Sequence, residues 1–196
     1  MIKIGLTGIL GSGKTTVAAL LKKRGLEIID LDALAKDSLN RKETQDDIRR
    51  AFGEEYVIDG RVDIKKLRAA AFGRNDSLRT LERIIHPRVH EEVARRVAAL
   101  EKKGRAVVVF DHPLLFETGF DSQVDRTVVV TADMEVIKER LKRRGMEVDD
   151  MERRLLFQMP LEEKTRKADY VIDNSGSEDG LGRQIDSLME EITKWR

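Results

Sequence analysis

The chain has 196 residues, of which 40% are hydrophobic and 37% are charged. This length suits one compact domain, and the apolar share is large enough to fill its core. Lysine plus arginine total 37 and aspartate plus glutamate total 36, so the net charge of +1 gives no global attraction to nucleic acid or membranes. The absence of cysteine excludes disulfides, thiolate zinc sites and cysteine nucleophiles. With no signal-peptide pattern and no apolar run near the roughly 18 residues of a membrane span, a soluble, cytoplasmic protein is expected.

Apolar runs alternate with segments of helical period, which predicts an α/β fold with a parallel sheet. The first predicted elements are a strand at residues 2–6, a helix at 14–24 and a strand at 26–29. Later strands are predicted at 106–110, 127–130 and 170–172, and later helices at 135–144, 150–157 and 181–196.

The stretch between residues 33 and 103 is helical in pattern and strongly charged. A long helix is predicted with Pro87 in its first turn, running to about residue 103. Other signals are N-caps at Asp63 and at Asp76 or Ser77, helix ends at Gly53 and Gly73, and a turn at Asp59-Gly60. So many consecutive helices between strands predict a helical insertion on the edge or top of the sheet.

The segment Gly8-Ile9-Leu10-Gly11-Ser12-Gly13-Lys14-Thr15 matches the phosphate-loop pattern G-x-x-x-x-G-K-[ST] in full, between a predicted strand and a predicted helix. Its glycines let the backbone turn N–H groups toward an anion, and Lys14 adds a charge for the β- and γ-phosphates. The Thr15 hydroxyl can hold Mg²⁺. A dinucleotide fold is disfavoured, because Thr16 stands where a third glycine is needed. The predicted nucleotide-binding residues are Gly8, Gly11, Ser12, Gly13, Lys14, Thr15 and Thr16.

Two carboxylates, Asp30 and Asp32, follow the second predicted strand. The carboxyl ends of parallel strands face the ligand crevice, and residues two apart on a strand share a face. Asp32 is therefore a candidate to orient an attacking hydroxyl and accept its proton, or to hold Mg²⁺ through water. The alternatives are a helix N-cap at Asp32 and a simple turn at Asp30. A guanine-specific switch is disfavoured, because no asparagine begins an Asn-Lys-x-Asp motif.

Further blocks follow the loop in a recognisable order. They are Gly5-Leu6-Thr7-Gly8, Ile29-Asp30-Leu31-Asp32, His86-Pro87-x-Val89, Pro113-Leu114-Leu115-Phe116-Glu117, Arg154-x-x-x-Gln158 and Ala168-Asp169-Tyr170-Val171-Ile172-Asp173-Asn174-Ser175-Gly176. Together they span nearly the whole chain. In these blocks and in their order, the sequence resembles the dephospho-CoA kinase family. Ile9 departs from that family's usual glycine.

The resemblance implies a P-loop kinase-like three-layer sandwich with a parallel central sheet, a helical substrate-binding insertion and a small helical lid. Within one domain, the core would comprise about residues 1–32, 104–134 and 168–196, the insertion 33–103 and the lid 135–167. The implied reaction is that of an ATP-dependent transferase. It moves the γ-phosphate to the ribose 3′-hydroxyl of dephospho-CoA and gives coenzyme A and ADP, the last step of coenzyme A synthesis.

Several residues outside the loop are further candidates. Resemblance to the family's lid makes Arg140 the candidate for catalysis beside Lys14 and Asp32, with Arg144 second as an ATP ligand. The alternative is that these arginines only form a solvent-exposed charged surface. Asn174 and Gly176 follow the last predicted strand and either border adenine or form a turn. Substrate-binding candidates are His86 as a site or capping residue, and Leu114 and Phe116 as a pocket wall, each against a structural role. Asp111 resembles the Asp that binds metal in other P-loop proteins.

The expected ligands are ATP, Mg²⁺ and dephospho-CoA, with no nucleic acid or membrane partner, and the chain is expected to be a monomer or a weak homo-oligomer. One alternative is another small-molecule or nucleoside monophosphate kinase. An alternative of a different class is an ATP-binding regulatory module without kinase activity. A panel of acceptors separates these functions.

Overall fold

The computed structural model describes residues 1–72 and 75–196. Its strands are β1 (Ile2–Gly8), β2 (Glu27–Asp30), β3 (Val57–Ile58), β4 (Arg61–Val62), β5 (Val107–Asp111), β6 (Arg126–Thr131) and β7 (Tyr170–Asp173). Its helices are α1 (Lys14–Lys23), α2 (Leu31–Ser38), α3 (Lys42–Phe52), α4 (Ile64–Phe72), α5 (Asn75–Lys102), α6 (Met134–Arg143), α7 (Val148–Leu155), α8 (Leu161–Lys167) and α9 (Glu178–Trp195). Two compact units make up the chain: Met1–Ile29 with Glu101–Arg196, and Asp30–Leu100.

The central sheet has five strands in the order β2-β5-β1-β6-β7. β1 pairs in parallel with both β5 and β6, and β6 pairs in parallel with β7. The register places Leu6 opposite Asp111, so the ends of β1 and β5 lie side by side. The predicted α/β three-layer fold with a parallel sheet is confirmed.

At the centre of the sheet both faces are buried, which explains why β5 is apolar from Val107 to Phe110 and β6 from Val128 to Val130. On one face, alternate residues such as Ile4, Leu6 and Val109 pack with α1 and α9 in a single hydrophobic cluster. On the other face, the ring of Phe110 lies edge-on to that of Phe120, with centroids 5.5 Å apart. β1 therefore carries its final residues, Thr7 and Gly8, from a rigid core to the start of the phosphate loop.

The unit formed by Asp30–Leu100 has its own core of Leu39, Ile48, Val57 and Leu67. Within it, β3 and β4 form a hairpin whose turn residues Asp59 and Gly60 both have positive φ, as a tight Asp-Gly turn requires. The turn was predicted, but the two short strands around it were not. Gly53 ends α3, and Asp63 accepts a hydrogen bond from the Lys66 amide at 2.9 Å, both as predicted. The predicted helix end at Gly73 lies outside the described residues.

The prediction that Pro87 begins a helix is wrong, because Pro87 lies inside α5. A proline in a helix interior removes a hydrogen bond and costs about 3 kcal/mol. The helix continues because Ile84 and Ile85, before the proline, pack against the core of their unit. The Arg88 side chain also donates a hydrogen bond to the Ile84 carbonyl. α5 begins at Asn75, so the predicted N-caps Asp76 and Ser77 lie within it.

Two further differences from the predictions concern the start of α9 and the presence of α8. α9 begins at Glu178 rather than 181, because the Ser177 side chain accepts a hydrogen bond from the Gly180 amide and caps it. α8 was not predicted. Within the described ranges, no helix is long and apolar enough to cross a membrane.

Candidate active site

The phosphate loop connects the end of β1 to the start of α1. Gly11 and Gly13 have φ values of 83° and 92°, and the Ser12 amide donates to the Ile9 carbonyl at 3.1 Å, which closes a turn. Gly13 precedes α1, whose amino end has no side-chain cap within the described part of the chain. The positive end of the helix therefore faces the loop, as a phosphate site requires.

Gly13 is required by both conformation and space. A Cβ atom there would lie 1.9 Å from the Asn174 Nδ2 atom, and a residue other than glycine is strained at this φ. Gly8 is also close to its surroundings, because a Cβ atom would lie 2.6 Å from the Val130 carbonyl oxygen. These two glycines let the loop backbone lie against β6 and the segment after β7.

Lys14 forms an ion pair with Asp111, the last residue of β5. Both side chains are largely buried, at 17% and 8% exposure. The pairing follows from the sheet order, since β5 is the neighbour of β1. The lysine predicted to bind phosphate and the carboxylate singled out by sequence are thus in direct contact.

Arg140 and Asn174 converge on the backbone of the loop. The Asn174 Nδ2 atom donates to the Ser12 carbonyl at 2.9 Å, and Arg140 donates to the same carbonyl at 3.4 Å. Arg140 also donates to the Asn174 carbonyl at 2.7 Å. Asn174 itself is buried and its amide donates to the Thr131 carbonyl. Both side chains therefore hold the loop by the backbone carbonyl of Ser12, an arrangement that the sequence did not indicate.

The remaining loop residue of note is Ile9. Its side chain is 6% exposed and packs in a cluster with Ile137 and Leu141 of α6 and Met151 of α7. The isoleucine thereby packs α6 and α7 of the predicted lid against the loop. The residue that departs from the family's usual glycine has a packing role.

The other lid and pocket candidates differ in exposure. Arg144 follows α6 and is exposed, as is Gly176. Phe116 is buried, and the Lys167 ammonium lies 5.6 Å from the centre of its ring. Leu114 is partly buried. The burial of Phe116 is that of a core residue, and its role as a pocket wall stays a prediction.

Sequence reasoning missed Lys164, which lies on α8 with a fully buried side chain. Its Nζ atom donates to the Pro113 carbonyl at 2.7 Å and contacts the Glu117 carboxylate at 2.9 Å. Burial lowers the pKa of the Lys164 ammonium, the Glu117 carboxylate opposes this shift, and the charge of Lys14 adds to it. Nothing in the charged segment Leu161–Lys167 distinguishes this lysine from a solvent-facing one.

Asp30 and Asp32 belong to the other unit, at its first residues. Asp30 is the N-cap of α2 and accepts a hydrogen bond from the Ala33 amide at 2.9 Å. Asp32 lies in the first turn of α2 and is exposed. The expectation that both side chains share one strand face is wrong, because the chain turns into a helix at Leu31. The alternative of an N-cap at Asp32 is also wrong, since Asp30 fills that position.

His86 is exposed on α5, and its ring centre lies 6.5 Å from that of His90. Both line an open groove of about 510 Å³ along this helix. The lining residues are Arg79, Glu82, Arg83, His86, Pro87 and His90. His86 does not cap a helix, because it lies in the middle of one.

Comparison with known proteins agrees with this geometry. A family model described as dephospho-CoA kinase matches residues 2–179. A dephospho-CoA kinase from Corynebacterium efficiens is 42% identical over 195 residues, which covers 98% of each chain. Among solved structures, TT1252 from Thermus thermophilus has a TM-score of 0.87 at 36% identity and covers 97% of each chain. Dephospho-CoA kinase from Campylobacter jejuni shares the fold, with a TM-score of 0.73 at 23% identity over 98% of this chain and 97% of its own. The chain therefore belongs to the dephospho-CoA kinase family.

Proposed function

We propose that this chain transfers the γ-phosphoryl group of ATP to the ribose 3′-hydroxyl of dephospho-CoA, giving coenzyme A and ADP. The observation that carries this proposal is the family match over residues 2–179, on a chain whose phosphate loop has the geometry of a nucleotide site. In such reactions the protein acts mainly by positioning groups and stabilising charge.

The triphosphate binds at the loop from Gly11 to Thr16 and at the amino end of α1. The Ser12 and Thr16 amides donate to the Ile9 and Gly13 carbonyls and so shape the loop. In the structure, Lys14 is held by Asp111. On binding, the phosphate oxygens replace Asp111 as partners of the Lys14 ammonium. The contact with Asp111 therefore holds the lysine beside the end of β5.

The side chains near the loop suit Mg²⁺. The Thr15 hydroxyl is exposed in the first turn of α1, and Asp111 brings a carboxylate next to Lys14. Magnesium prefers such oxygen donors and is usually held by one or two of them together with substrate phosphates and water. Thr15 and Asp111 would hold the ion. When bound, Mg²⁺ neutralises charge on the β- and γ-phosphate oxygens.

Arg140 contributes to catalysis by fixing the loop and by adding positive charge beside it. Its guanidinium is already committed to the Ser12 and Asn174 carbonyls, so direct contact with the transferring group requires these bonds to exchange. The exposed Arg144 is the candidate for a direct phosphate contact. Asn174 and Gly176 border the adenine-binding side of the loop.

The acceptor is bound by the unit Asp30–Leu100. In that unit Asp32 orients the 3′-hydroxyl and accepts its proton, and His86 contributes to binding of the nucleotide. An Asp32→Asn variant should therefore lose most of its turnover while it keeps its affinity for ATP. An unchanged kcat would remove Asp32 from the chemistry.

The test of function is ADP release from ATP and Mg²⁺ with dephospho-CoA as acceptor, beside AMP, CMP, UMP and adenosine, with the product mass measured. A Lys14→Met preparation is the control for contaminating kinases. We expect turnover with dephospho-CoA and a product heavier by one phosphate. Turnover only with another acceptor would replace the substrate, and ATP binding without any ADP would favour a regulatory module.

A further inference from the structure

A completely buried lysine lies beneath the phosphate loop. The Lys164 side chain has no exposed surface, and an ammonium group is expensive to bury unless each of its three hydrogens has an acceptor. The acceptors are the Pro113 carbonyl at 2.7 Å, the Glu117 carboxylate at 2.9 Å and the Thr7 hydroxyl at 3.4 Å. Each of the three ammonium hydrogens therefore has an acceptor.

These acceptors connect Lys164 to the front of the loop. Thr7 is the residue immediately before Gly8, the first residue of the phosphate-loop pattern. Its hydroxyl donates to the Pro113 carbonyl at 3.1 Å, so the end of β1 and the segment after β5 share one set of hydrogen bonds with Lys164.

A second route runs from Glu117 to the middle of the loop. The Glu117 Oε1 atom accepts a hydrogen bond from the Met159 amide at 2.7 Å. The preceding side chain, Gln158, accepts a hydrogen bond from the Leu10 amide at 2.9 Å. Glu117 thus fixes the backbone of residue 159, and with it the carboxamide that holds Leu10.

The two routes end on either side of Gly8, so the buried pair determines where the loop begins and how it continues. We propose that Lys164, together with Glu117, is a positioning residue that sets the conformation of the phosphate loop for ATP. The ion pair acts through Thr7 and Gln158 and does not itself touch the nucleotide. This inference rests on the proposed function only in taking ATP as the ligand of the loop.

The experiment compares Lys164→Met and Gln158→Ala with a core control, Leu188→Ala, whose side chain is buried on α9. Hydrogen exchange of residues 8–13 is followed in the nucleotide-free protein, and ATP affinity by calorimetry. We expect Lys164→Met and Gln158→Ala each to speed exchange at Leu10 and to weaken ATP by about tenfold, a change typical of losing one well-placed hydrogen bond. The control should change neither property, even when its Tm falls as far as that of Lys164→Met.

Coupling between the two positions gives a second readout. If Lys164 acts on Leu10 through Gln158, adding Lys164→Met to Gln158→Ala should weaken ATP by less than the product of the two single effects. The proposal is overturned if Lys164→Met lowers only Tm and its loop exchange and ATP affinity follow Leu188→Ala. Should Lys164→Met fail to fold, Gln158→Ala decides, because unchanged exchange and affinity in that variant would also overturn it.

The exchange measurement needs neither dephospho-CoA nor turnover, so failure of the proposed function is recognised separately. A wild-type chain that binds ATP but does not phosphorylate dephospho-CoA would refute the function and leave the loop result valid. Faster loop exchange in Lys164→Met with unchanged ATP affinity would refute the inference and leave the function standing.

Discussion

The close contact between Gly13 and Asn174 makes Gly13→Ala a quantitative test of the site. Two costs are expected. An alanine at φ 92° is strained by about 1–2 kcal/mol. Its Cβ atom would also lie 1.9 Å from the Asn174 Nδ2 atom, so the carboxamide must move and its hydrogen bond to the Ser12 carbonyl is lost. Losing a buried hydrogen bond of this kind costs about 1–3 kcal/mol.

Gly25 supplies a matched control, because it has nearly the same backbone conformation without the neighbour. Its φ is 88°, and among the described residues no neighbouring atom lies within 4 Å of a Cβ placed there. In Gly25→Ala only the backbone strain lowers stability. This destabilisation is reduced by about 0.4–1 kcal/mol, because alanine also restricts the unfolded chain. We expect a loss of about 1 kcal/mol for Gly25→Ala and of about 2–4 kcal/mol for Gly13→Ala.

Urea denaturation measures both free energies of unfolding, and a thermal melt should show a fall of about 2–4 °C per kcal/mol for a chain of this size. ATP affinity should fall in Gly13→Ala and remain unchanged in Gly25→Ala. A third variant isolates the clash: in an Asn174→Ala background, Gly13→Ala should cost little more than the backbone strain. Equal losses at Gly13 and Gly25 would show that Asn174 does not press on the loop.

Three further outcomes follow from the described contacts. Ile9→Ala should destabilise the protein by about 2–4 kcal/mol, because it empties a buried position between the loop and α6; an unfolding midpoint equal to that of the wild type would contradict this packing. The Arg95 and Arg96 guanidiniums lower the pKa of Glu92 to about 2, so its stabilisation is complete above pH 4.5 and is lost as the pH falls toward 2. Glu92→Gln should therefore flatten the dependence of Tm on pH in that interval. Asp111→Asn should raise the Mg²⁺ concentration needed for turnover while ATP binding without Mg²⁺ is kept or strengthened, since Lys14 loses its competing partner; unchanged Mg²⁺ dependence would remove Asp111 from the metal site.

The strands and the phosphate loop could be predicted because each depends on local pattern. β5 is apolar from Val107 to Phe110 since both sheet faces are covered there, and the loop needs its glycines, lysine and threonine at fixed spacing. The end of α1 was predicted from Gly25, whose positive φ is the usual conformation after a helix. Local chemistry was sufficient for these features.

Contacts to backbone atoms and buried charges could not be predicted in this way. The carbonyl of Ser12 carries no sequence signal that it will receive both Asn174 and Arg140. α8 reads as a short charged stretch, and the burial of Lys164 depends on Glu117, 47 residues earlier in the chain. Asp32 was assigned to a strand face because the cap formed by Asp30 starts α2 two residues sooner than the pattern indicated.

The blocks that carry the family resemblance are far apart in sequence, yet three of them meet at the loop backbone or the residue before it. Gln158 accepts from the Leu10 amide, Asn174 donates to the Ser12 carbonyl, and Glu117 reaches Thr7 through the ammonium of Lys164. These contacts use the Leu10 amide, the Ser12 carbonyl and the Thr7 hydroxyl, and they do not involve the Lys14 side chain. A loop held in this way has little conformational freedom left to lose when ATP binds, so more of the binding energy remains for the charge that develops during transfer. The distant blocks thus support the chemistry indirectly. They fix the shape of the eight-residue phosphate loop, and the loop remains the ligand of the phosphates.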